Sequence, residues 1–428
     1  MGDHSKVSIT PLLNKLIDPL KGRASAEEIA GVLALIYNDQ LTVVQCASFL
    51  TLLQSSGRGH DAQVVAKCSD QMRTAGDQID KKLLQKTVRK RNRRQGGYMG
   101  GLCDIVGTGG DGHSTFNVST TASILASSQL LICKHGAKAS SSKSGSADML
   151  QHILPKAPII EAITATNIVQ AFEHGDYAFL YAPIFNPRTR FVAPVRRALG
   201  FRTLFNILGP LANPADPYIE ARIVGVAMKE LGYVHSEALR LQGARKTMVV
   251  CGAEDLDEIS CAGKTFCWRS VEKPNPEFRG PKTEEDEDYT TSDEEAPPRT
   301  LLHVEEFELH PEDFGFPPHP LSEVLPGQEP SQNAAMLMKI LNNEIPDDDP
   351  VLHFVLMNTA ALFVVSGLCD ADTSDLGSGD SGEVITEIGP GGGRWKEGVR
   401  RARWAITSGA AKRSLEQYID FTTRQTVP

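Results

Sequence analysis

Residues 102–123, LCDIVGTGGDGHSTFNVSTTAS, decide how the rest of the chain is read. An apolar run from Leu102 to Val106 meets four glycines within six residues, Gly107, Gly109, Gly110 and Gly112, and then Asn117, Ser119 and Thr120 precede small and apolar residues. A buried strand that breaks at glycines and resumes as a helix is the opening unit of an α/β sheet. Glycines let the backbone turn tightly and approach a ligand, and free N–H groups at a helix start attract anions, so the segment predicts a phosphate cradle. Gly107, Gly109 and Gly112 also fit the G-x-G-x-x-G spacing of dinucleotide sites. That reading needs an acidic residue about 20 positions on, at the end of the next strand, to hold the ribose hydroxyls. Here the next strand, Leu130 to Lys134, ends in a cation, and no GKS or GKT follows to support a P-loop. The site asks for negative charge near Lys134, with Asp111 placed to orient a hydroxyl or a hydrated metal.

Working outward toward the C-terminus, KHGAKASSSKSGSADML (134–150) follows the second strand with small and hydroxyl residues through Ser146, able to wrap an anion with amides and hydroxyls. Tyr177–Tyr181, Ala221–Val226 and Thr247–Cys251 read as further buried strands. The last runs into GAEDLDEIS (252–260), where the adjacent carboxylates Asp257 and Glu258 suit a hard cation such as Mg²⁺. PVRRALGFRTLFNILGPLANP (194–214) offers the planar forks of Arg196 and Arg197 to a carboxylate, one of the two facing solvent, ahead of a rigid Pro/Gly turn. The expected large domain is a mostly parallel sheet flanked by helices, with ligands beyond the strand carboxyl ends.

Toward the N-terminus, Ser25 with Glu28 and Thr42 with Gln45 have capping-box spacing. Each precedes apolar residues at helical intervals: Ile29, Val32, Leu33 and Ile36, then Val43, Val44, Phe49, Leu50 and Leu53. We therefore expect a helical N-terminal domain over 1–98, part of which returns later in the chain, and an α/β domain over 99–428. Residues 81–97 form a basic linker or helix face, with eight Lys and Arg and no acid between Lys81 and Arg94. An acidic insertion over 283–298, with eight Asp and Glu and no base between Glu284 and Glu295, is expected to be disordered, and the Gly/Ser/Asp-rich loop 370–393 to be flexible. Over 428 residues, 44 Lys+Arg against 53 Asp+Glu give a net charge of −9, which disfavours a globally basic nucleic-acid binder. The start has no apolar core of signal-peptide length. Val351–Cys369 is interrupted by His353, Asn358, Thr359 and Ser366 and reads as a buried helix, not a membrane span. Eight scattered cysteines form no CxxC pair and suggest neither zinc nor a disulfide framework, as in a reduced, cytoplasmic protein.

Four ordered motifs, GTGGD…TFNVST, KHG…SSKSGSAD, VRR..LG.RT.FNILGPL.NP and LDEIS, resemble those of anthranilate phosphoribosyltransferases, over about residues 8 to 419. The resemblance implies the nucleoside phosphorylase/phosphoribosyltransferase-like fold, a homodimer, Mg²⁺, and transfer of phosphoribose from phosphoribosyl pyrophosphate to the amine of anthranilate in tryptophan biosynthesis. It assigns Gly107, Gly110, Asp111, Thr115, Asn117, Val118, Ser119, Thr120, Lys134, Ser142 and Ser146 to the sugar diphosphate. It gives Gly107, Ala137 and Arg196 to anthranilate, and Ser119, Asp257 and Glu258 to the metal. The chain departs from the family pattern at Ala137, where bacterial members usually have Asn, and at Asn186, where many have His.

The residues fit that chemistry. Breaking the bond between ribose C1 and pyrophosphate develops positive charge on the sugar and negative charge on the leaving group, which oriented amides, Lys134, Asp111 and Mg²⁺ would handle electrostatically. No nucleophilic side chain or obligatory base is required, and no Ser/His/Asp triad is present. Two alternatives share some features: a pyrimidine nucleoside phosphorylase, which also cleaves a C1 bond, and a non-catalytic nucleic-acid-binding relative, favoured only by Lys81–Arg94. The paired Asp257 and Glu258 argue against the second, and neither a membrane nor nucleic acid is expected as a partner.

Overall fold

The computed structural model describes residues 6–18, 20, 22–139, 143–278, 298–325 and 329–425. The chain opens with five helices, α1 (Thr10–Ile17), α2 (Ala26–Tyr37), α3 (Val43–Ser55), α4 (Ala62–Ala75) and α5 (Lys81–Arg91). Both capping boxes form: Ser25 Oγ accepts from Glu28 N and the Glu28 carboxylate from Ser25 N, with Thr42 and Gln45 repeating the pattern. Ile29, Val32, Leu33 and Ile36 are buried, as are Phe49, Leu50 and Leu53. Val43 and Val44 are not, being 71% and 73% exposed, because they stand on the first turn of α3 on the side away from the core.

The sheet region contains β1 (Leu102–Gly107), α6 (Val118–Ala126), β2 (Leu131–Gly136), α7 (Ser146–Gln151), α8 (Ile168–His174) and β3 (Tyr177–Tyr181). Three short helices follow, α9 (Ala182–Phe185), α10 (Ala193–Leu199) and α11 (Phe205–Leu208), then β4 (Ile219–Gly225), α12 (Glu230–Leu241), β5 (Lys246–Gly252), β6 (Thr265–Pro274) and β7 (Thr300–Leu309). Helices α13 (Pro330–Leu341), α14 (Pro350–Ser366), α15 (Trp395–Thr407) and α16 (Ala410–Thr423) complete the chain. All five expected strands form, in the order β3-β2-β1-β4-β5-β6-β7. The first five are parallel, whereas β6 and β7 run antiparallel at one edge. Chain order reverses between β1 and β4, and in such sheets the crevice beyond the strand ends at that point is where ligands bind.

Successive side chains of the central strands enter different cores, which is why the strands read as continuous apolar runs. Ile105, Ile223 and Val250 join the core built with α6, α14 and α15, and Val106, Val224, Val249 and Cys251 the one shared with α4 and α12. Every residue of α14 after Pro350 is buried. Among the described residues no helix is long and apolar enough to cross a membrane, and all eight cysteines are free and buried.

Residues 182–212 return to the N-terminal helices. Phe205 meets Tyr37 edge-on at 6.2 Å, and the Arg73 guanidinium donates to the Leu211 carbonyl. Helix α5, which carries most of the basic run, packs on α8 through Leu84 and Val88, and Arg91 and Arg93 both pair with Asp176. The acidic run 284–295 lies outside the described residues. Residues 371–394 form no α-helix and no strand, and there Asp380 accepts from Ser374 and Leu376 and pairs with Arg400.

Candidate active site

The glycine loop sits at the switch point, and its geometry explains its composition. Gly109, Gly110 and Gly112 have φ of +67°, +75° and +79°, a region that side chains disfavour. Gly107 and Gly225, at the ends of β1 and β4, answer to a different constraint. A Cβ at Gly107 would lie 2.3 Å from Asp257 Oδ2, and one at Gly225 only 1.7 Å from the Asp257 carbonyl oxygen. Bare backbone on both strands lets the loop after β5 cross the crevice, where Gly109 N–H donates to Asp257 Oδ2 at 2.6 Å.

Around that contact three carboxylates converge. Burial, with the neighbouring Asp111 charge next, pushes Asp257 up to about 7. Burial and Asp257 hold Glu258 well above the usual carboxylate range, while Lys134 and the Ser119 N–H oppose that rise. Ser119, Asp257 and Glu258, the expected metal set, are thus brought together. The Lys134 ammonium is 1% exposed and donates to the Ile105 carbonyl at 2.7 Å, among the Asp104, Asp257 and Glu258 charges. It sits beneath the crevice as a counter-charge. On the other side, α14 clamps the carboxylate loop: Asn358 accepts from Ile259 N at 3.1 Å and donates to Ile259 O at 3.2 Å. Buried, mutually repelling carboxylates call for a hard cation with oxygen ligands. Mg²⁺ typically takes one or two carboxylates and draws the rest of its shell from phosphate and water.

The second cradle is tied to the first. Asn117 Nδ2 donates to the Ser144 carbonyl at 2.9 Å while Ser144 Oγ donates to Asn117 Oδ1 at 2.8 Å, and Thr120 Oγ1 donates to Ser146 Oγ at 2.7 Å. Asp148 accepts from Ala139 N and Gly145 N, closing the loop onto α7. Thr115 is half-buried in the first loop, and Val118 points its side chain into the core, so only its backbone can serve a ligand. Ser142 lies outside the described residues. Ala137 is exposed in the loop after β2.

Between the glycine loop and α10 lies a cleft of about 530 Å³, lined by Gly110, Asp111 and His113 on one side and Arg196, Arg202 and Asn206 on the other. Arg196 is half-buried, 5.5 Å from the Phe205 ring centroid, and Arg197 is exposed. Asn186 is buried away from this cleft lining, and its side-chain nitrogen has no hydrogen-bond partner among the described residues. Three cleft groups escaped sequence reasoning. Arg202 donates to the Gly110 carbonyl at 2.8 Å and the Gly109 carbonyl at 3.3 Å, fixing the loop from the helical side. The His113 ring contacts the Glu254 carbonyl at 2.8 Å, and Asn206 Oδ1 accepts from Thr203 N at 2.9 Å. The only sequence signal for Arg202 is its place between the two glycine-bearing turns of GFRTLFNILG.

His135 supplies a pH test of this region. Burial, reinforced by the Lys134 charge, pushes its imidazole down to about 4. Between pH 4 and the ordinary value near 6.5 the unfolded chain binds a proton that the folded chain does not, so stability rises with pH over that window and is lost as pH falls. We expect the wild-type chain to lose roughly 3 kcal/mol more than His135→Gln between pH 7 and 4. Denaturant melts at the two pH values check this, and equal losses would contradict it.

The glycosyl transferase family, a/b domain, matches residues 99–277 and 299–412, so the α/β unit and its crevice are those of a glycosyltransferase of that family. The anthranilate phosphoribosyltransferase of Schizosaccharomyces pombe is 40% identical over 317 residues, covering 74% of this chain and 73% of its own. That of Saccharomyces cerevisiae is 33% identical over 381 residues, 87% of this chain and 85% of its own. The chain belongs to the anthranilate phosphoribosyltransferase family. Among solved structures, the S. cerevisiae enzyme in complex with PRPP and Mg superposes with a TM-score of 0.74 at 28% identity, over 97% of this chain and 99% of that one. The same enzyme in complex with 4-fluoroanthranilate gives 0.71 at 28% identity, over 97% and 98%.

Proposed function

We propose that this chain transfers the 5-phosphoribosyl group of phosphoribosyl pyrophosphate to the amine of anthranilate, releasing pyrophosphate, as a step of tryptophan biosynthesis. The carrying observation is the pair Asp257, buried, and Glu258, half-buried, at the switch point, with Asp257 joined to the glycine loop through Gly109 N–H. The S. cerevisiae complexes with PRPP and Mg and with 4-fluoroanthranilate support the substrate classes and the metal. Gly107, Gly110, Asp111, Thr115, Asn117, Val118, Ser119, Thr120, Ser142 and Ser146 would surround the sugar diphosphate, with Val118 contributing only backbone. Asp257, Glu258 and Ser119 would hold Mg²⁺, which supplies charge neutralisation for the departing pyrophosphate.

The chain's own residues account for the remainder. Helix α6 and the two cradles present N–H and hydroxyl donors to phosphate oxygens. Arg196 offers a half-buried guanidinium to the anthranilate carboxylate, and Gly107 a side-chain-free approach. In the step itself the bond from C1 to the pyrophosphate oxygen breaks, the amine lone pair forms the bond to C1, and the amine proton leaves to solvent. The aromatic amine is largely unprotonated at neutral pH, so positioning is the main demand.

We also place the protein in the cytoplasm, in keeping with its eight free cysteines. A homodimer is supported by the exposed apolar side chains Ile17, Leu20, Val43 and Val44 at 64%, 97%, 71% and 73%, and light scattering is expected to give twice the chain mass. For organisation we propose a helical N-terminal unit with residues 182–212 returning to it and an α/β unit from residue 99, with α5 bridging the two. The test of function is loss of anthranilate fluorescence when phosphoribosyl pyrophosphate and Mg²⁺ are both supplied. Activity on thymidine or uridine with phosphate, and none on anthranilate, would overturn the reading.

A further inference from the structure

The basic run Lys81–Arg94 has no part in this chemistry, and it borders a cavity that the crevice does not use. At the amino edge of the parallel strands, opposite the glycine loops, lies a groove of about 1160 Å³ bounded by α5, the starts of β1, β4 and β5, and β6. It has room for one metabolite-sized ligand. Eight cations and four anions line it. Each anion already has a cation: Asp70 pairs with Arg73, Asp216 with Arg73 and Arg222, Glu220 with Lys246, and Glu272 with Arg245. On the rim, Lys81, Arg89 and Arg94 are exposed and have no ion-pair or hydrogen-bond partner among the described residues. The half-buried Arg269 guanidinium donates there only to the Gly391 carbonyl, at 2.8 Å. Lys81 and Arg89 stand two four-residue steps apart, which puts them on one face of α5.

The floor carries a second and independent signal. Arg222, on β4, lines the groove and is only 2% exposed. Its charge faces the Asp216 and Asp104 carboxylates, yet most of its donors are idle. Of the five N–H groups on a guanidinium, the only hydrogen bond of Arg222 among the described residues runs from Nη2 to Asp216 Oδ2 at 2.6 Å, and its buried Nε has no partner. Buried donors left unpaired are costly, so this side chain calls for oxygen acceptors arriving through the groove. A planar fork of donors matches the oxygens of phosphate or carboxylate. Four uncompensated cations around room for one small molecule favour the group that packs the most negative charge into the least volume, a short chain of phosphates. We propose that the groove is a second anion site, for a small molecule bearing a di- or triphosphate group, with Arg222 at its floor and Lys81, Arg89, Arg94 and Arg269 neutralising the chain. The site is separate from the one assigned to phosphoribosyl transfer, and none of these five side chains lines the cleft beside the glycine loop.

The probe is inorganic tripolyphosphate, titrated calorimetrically into the full chain without Mg²⁺. The wild-type chain is expected to bind it saturably, and combining Lys81→Glu, Arg89→Glu and Arg94→Glu should weaken that binding at least about tenfold. The control combines Lys82→Glu, Lys86→Glu and Lys90→Glu, which reverse the same charge on the same helix at exposed residues outside the groove lining. It should change the affinity by less than about threefold. Arg222→Lys keeps the charge and removes the fork, and should weaken binding at least about fivefold. Circular dichroism and the melting temperature show which variants have folded, and if Arg222→Lys has not, the contrast between rim and control reversals decides the matter alone. No saturable binding to the wild-type chain, or equal losses in the rim and control variants, overturns the proposal. A folded Arg222→Lys that binds as tightly as wild type does the same. So does binding that the rim reversals leave intact and phosphoribosyl pyrophosphate displaces, because the probe then occupies the crevice. A DNA duplex that binds more tightly than tripolyphosphate and is lost with the same rim reversals would make the groove a nucleic-acid surface instead.

Discussion

Exchanging Asp257 for Asn together with Glu258 for Gln is expected to lower Mg²⁺-dependent turnover by more than about a hundredfold, the equivalent of several kcal/mol of lost charge stabilisation at the leaving pyrophosphate. The chain should still fold, because both replacements keep size and hydrogen-bonding capacity. Its stability should respond in a direction that a merely structural pair would not give. Burial and Asp111 hold Asp257 up near 7, so between the ordinary carboxylate value and 7 the folded chain binds more protons than the unfolded one. Stability contributed by this group is therefore present at low pH and lost as pH rises through 7. The neutral double variant escapes that loss and should melt, without metal, at least as high as wild type at pH 8. Added Mg²⁺ should raise the wild-type melting temperature and leave the variant's unchanged. Near-normal turnover at ordinary Mg²⁺, or a metal-free variant that melts well below wild type at pH 8, would contradict the assignment.

That pair illustrates what a linear pattern can carry. Asp257 and Glu258 stand out in the sequence because two acids at a strand exit are unusual, but their meeting with Gly109, 148 positions away, depends on strand order, which no local pattern encodes. The five parallel strands were legible because both of their faces are buried and each reads as an unbroken apolar run. Strands β6 and β7 carry no unbroken apolar run of this kind: Thr300–Leu309 mixes charged with apolar residues and only Leu309 is buried, as at a solvated antiparallel edge. The glycines of residues 107–112 predicted a cradle for a ligand, and three of them do adopt backbone that only glycine favours. Gly107 is required for a second reason invisible in the sequence, the approach of Asp257. Lys134 was expected to face an anion beyond its strand, yet a side chain pointing back to the Ile105 carbonyl is equally compatible with its position. Asn358, which interrupts the longest apolar stretch, turns out to hold the carboxylate loop by its backbone.

Arg196→Ala is expected to raise the anthranilate KM by about 10- to 150-fold, the loss of a charged hydrogen bond worth roughly 1.5 to 3 kcal/mol. The KM for phosphoribosyl pyrophosphate should barely move. Of the five N–H donors on a guanidinium, the only side-chain hydrogen bond of Arg196 among the described residues runs to Asn206 Oδ1, at a long 3.4 Å. A half-buried charge with so little compensation, seated against Phe205 and opening on the cleft shared with Asp111, has donors to spare for a planar carboxylate. Arg197, exposed beside it, is the control, and Arg197→Ala should leave both KM values within about twofold. Ala137 is exposed in the loop after β2 and is absent from the cleft lining, so Ala137→Asn should combine with Arg196→Ala additively, within about 0.5 kcal/mol. A larger coupling would mean that position 137 reaches the aromatic acid when both substrates are bound. If Arg196→Ala weakens phosphoribosyl pyrophosphate and spares anthranilate, the guanidinium belongs to the phosphate site, and the aromatic acid must be sought elsewhere around the crevice.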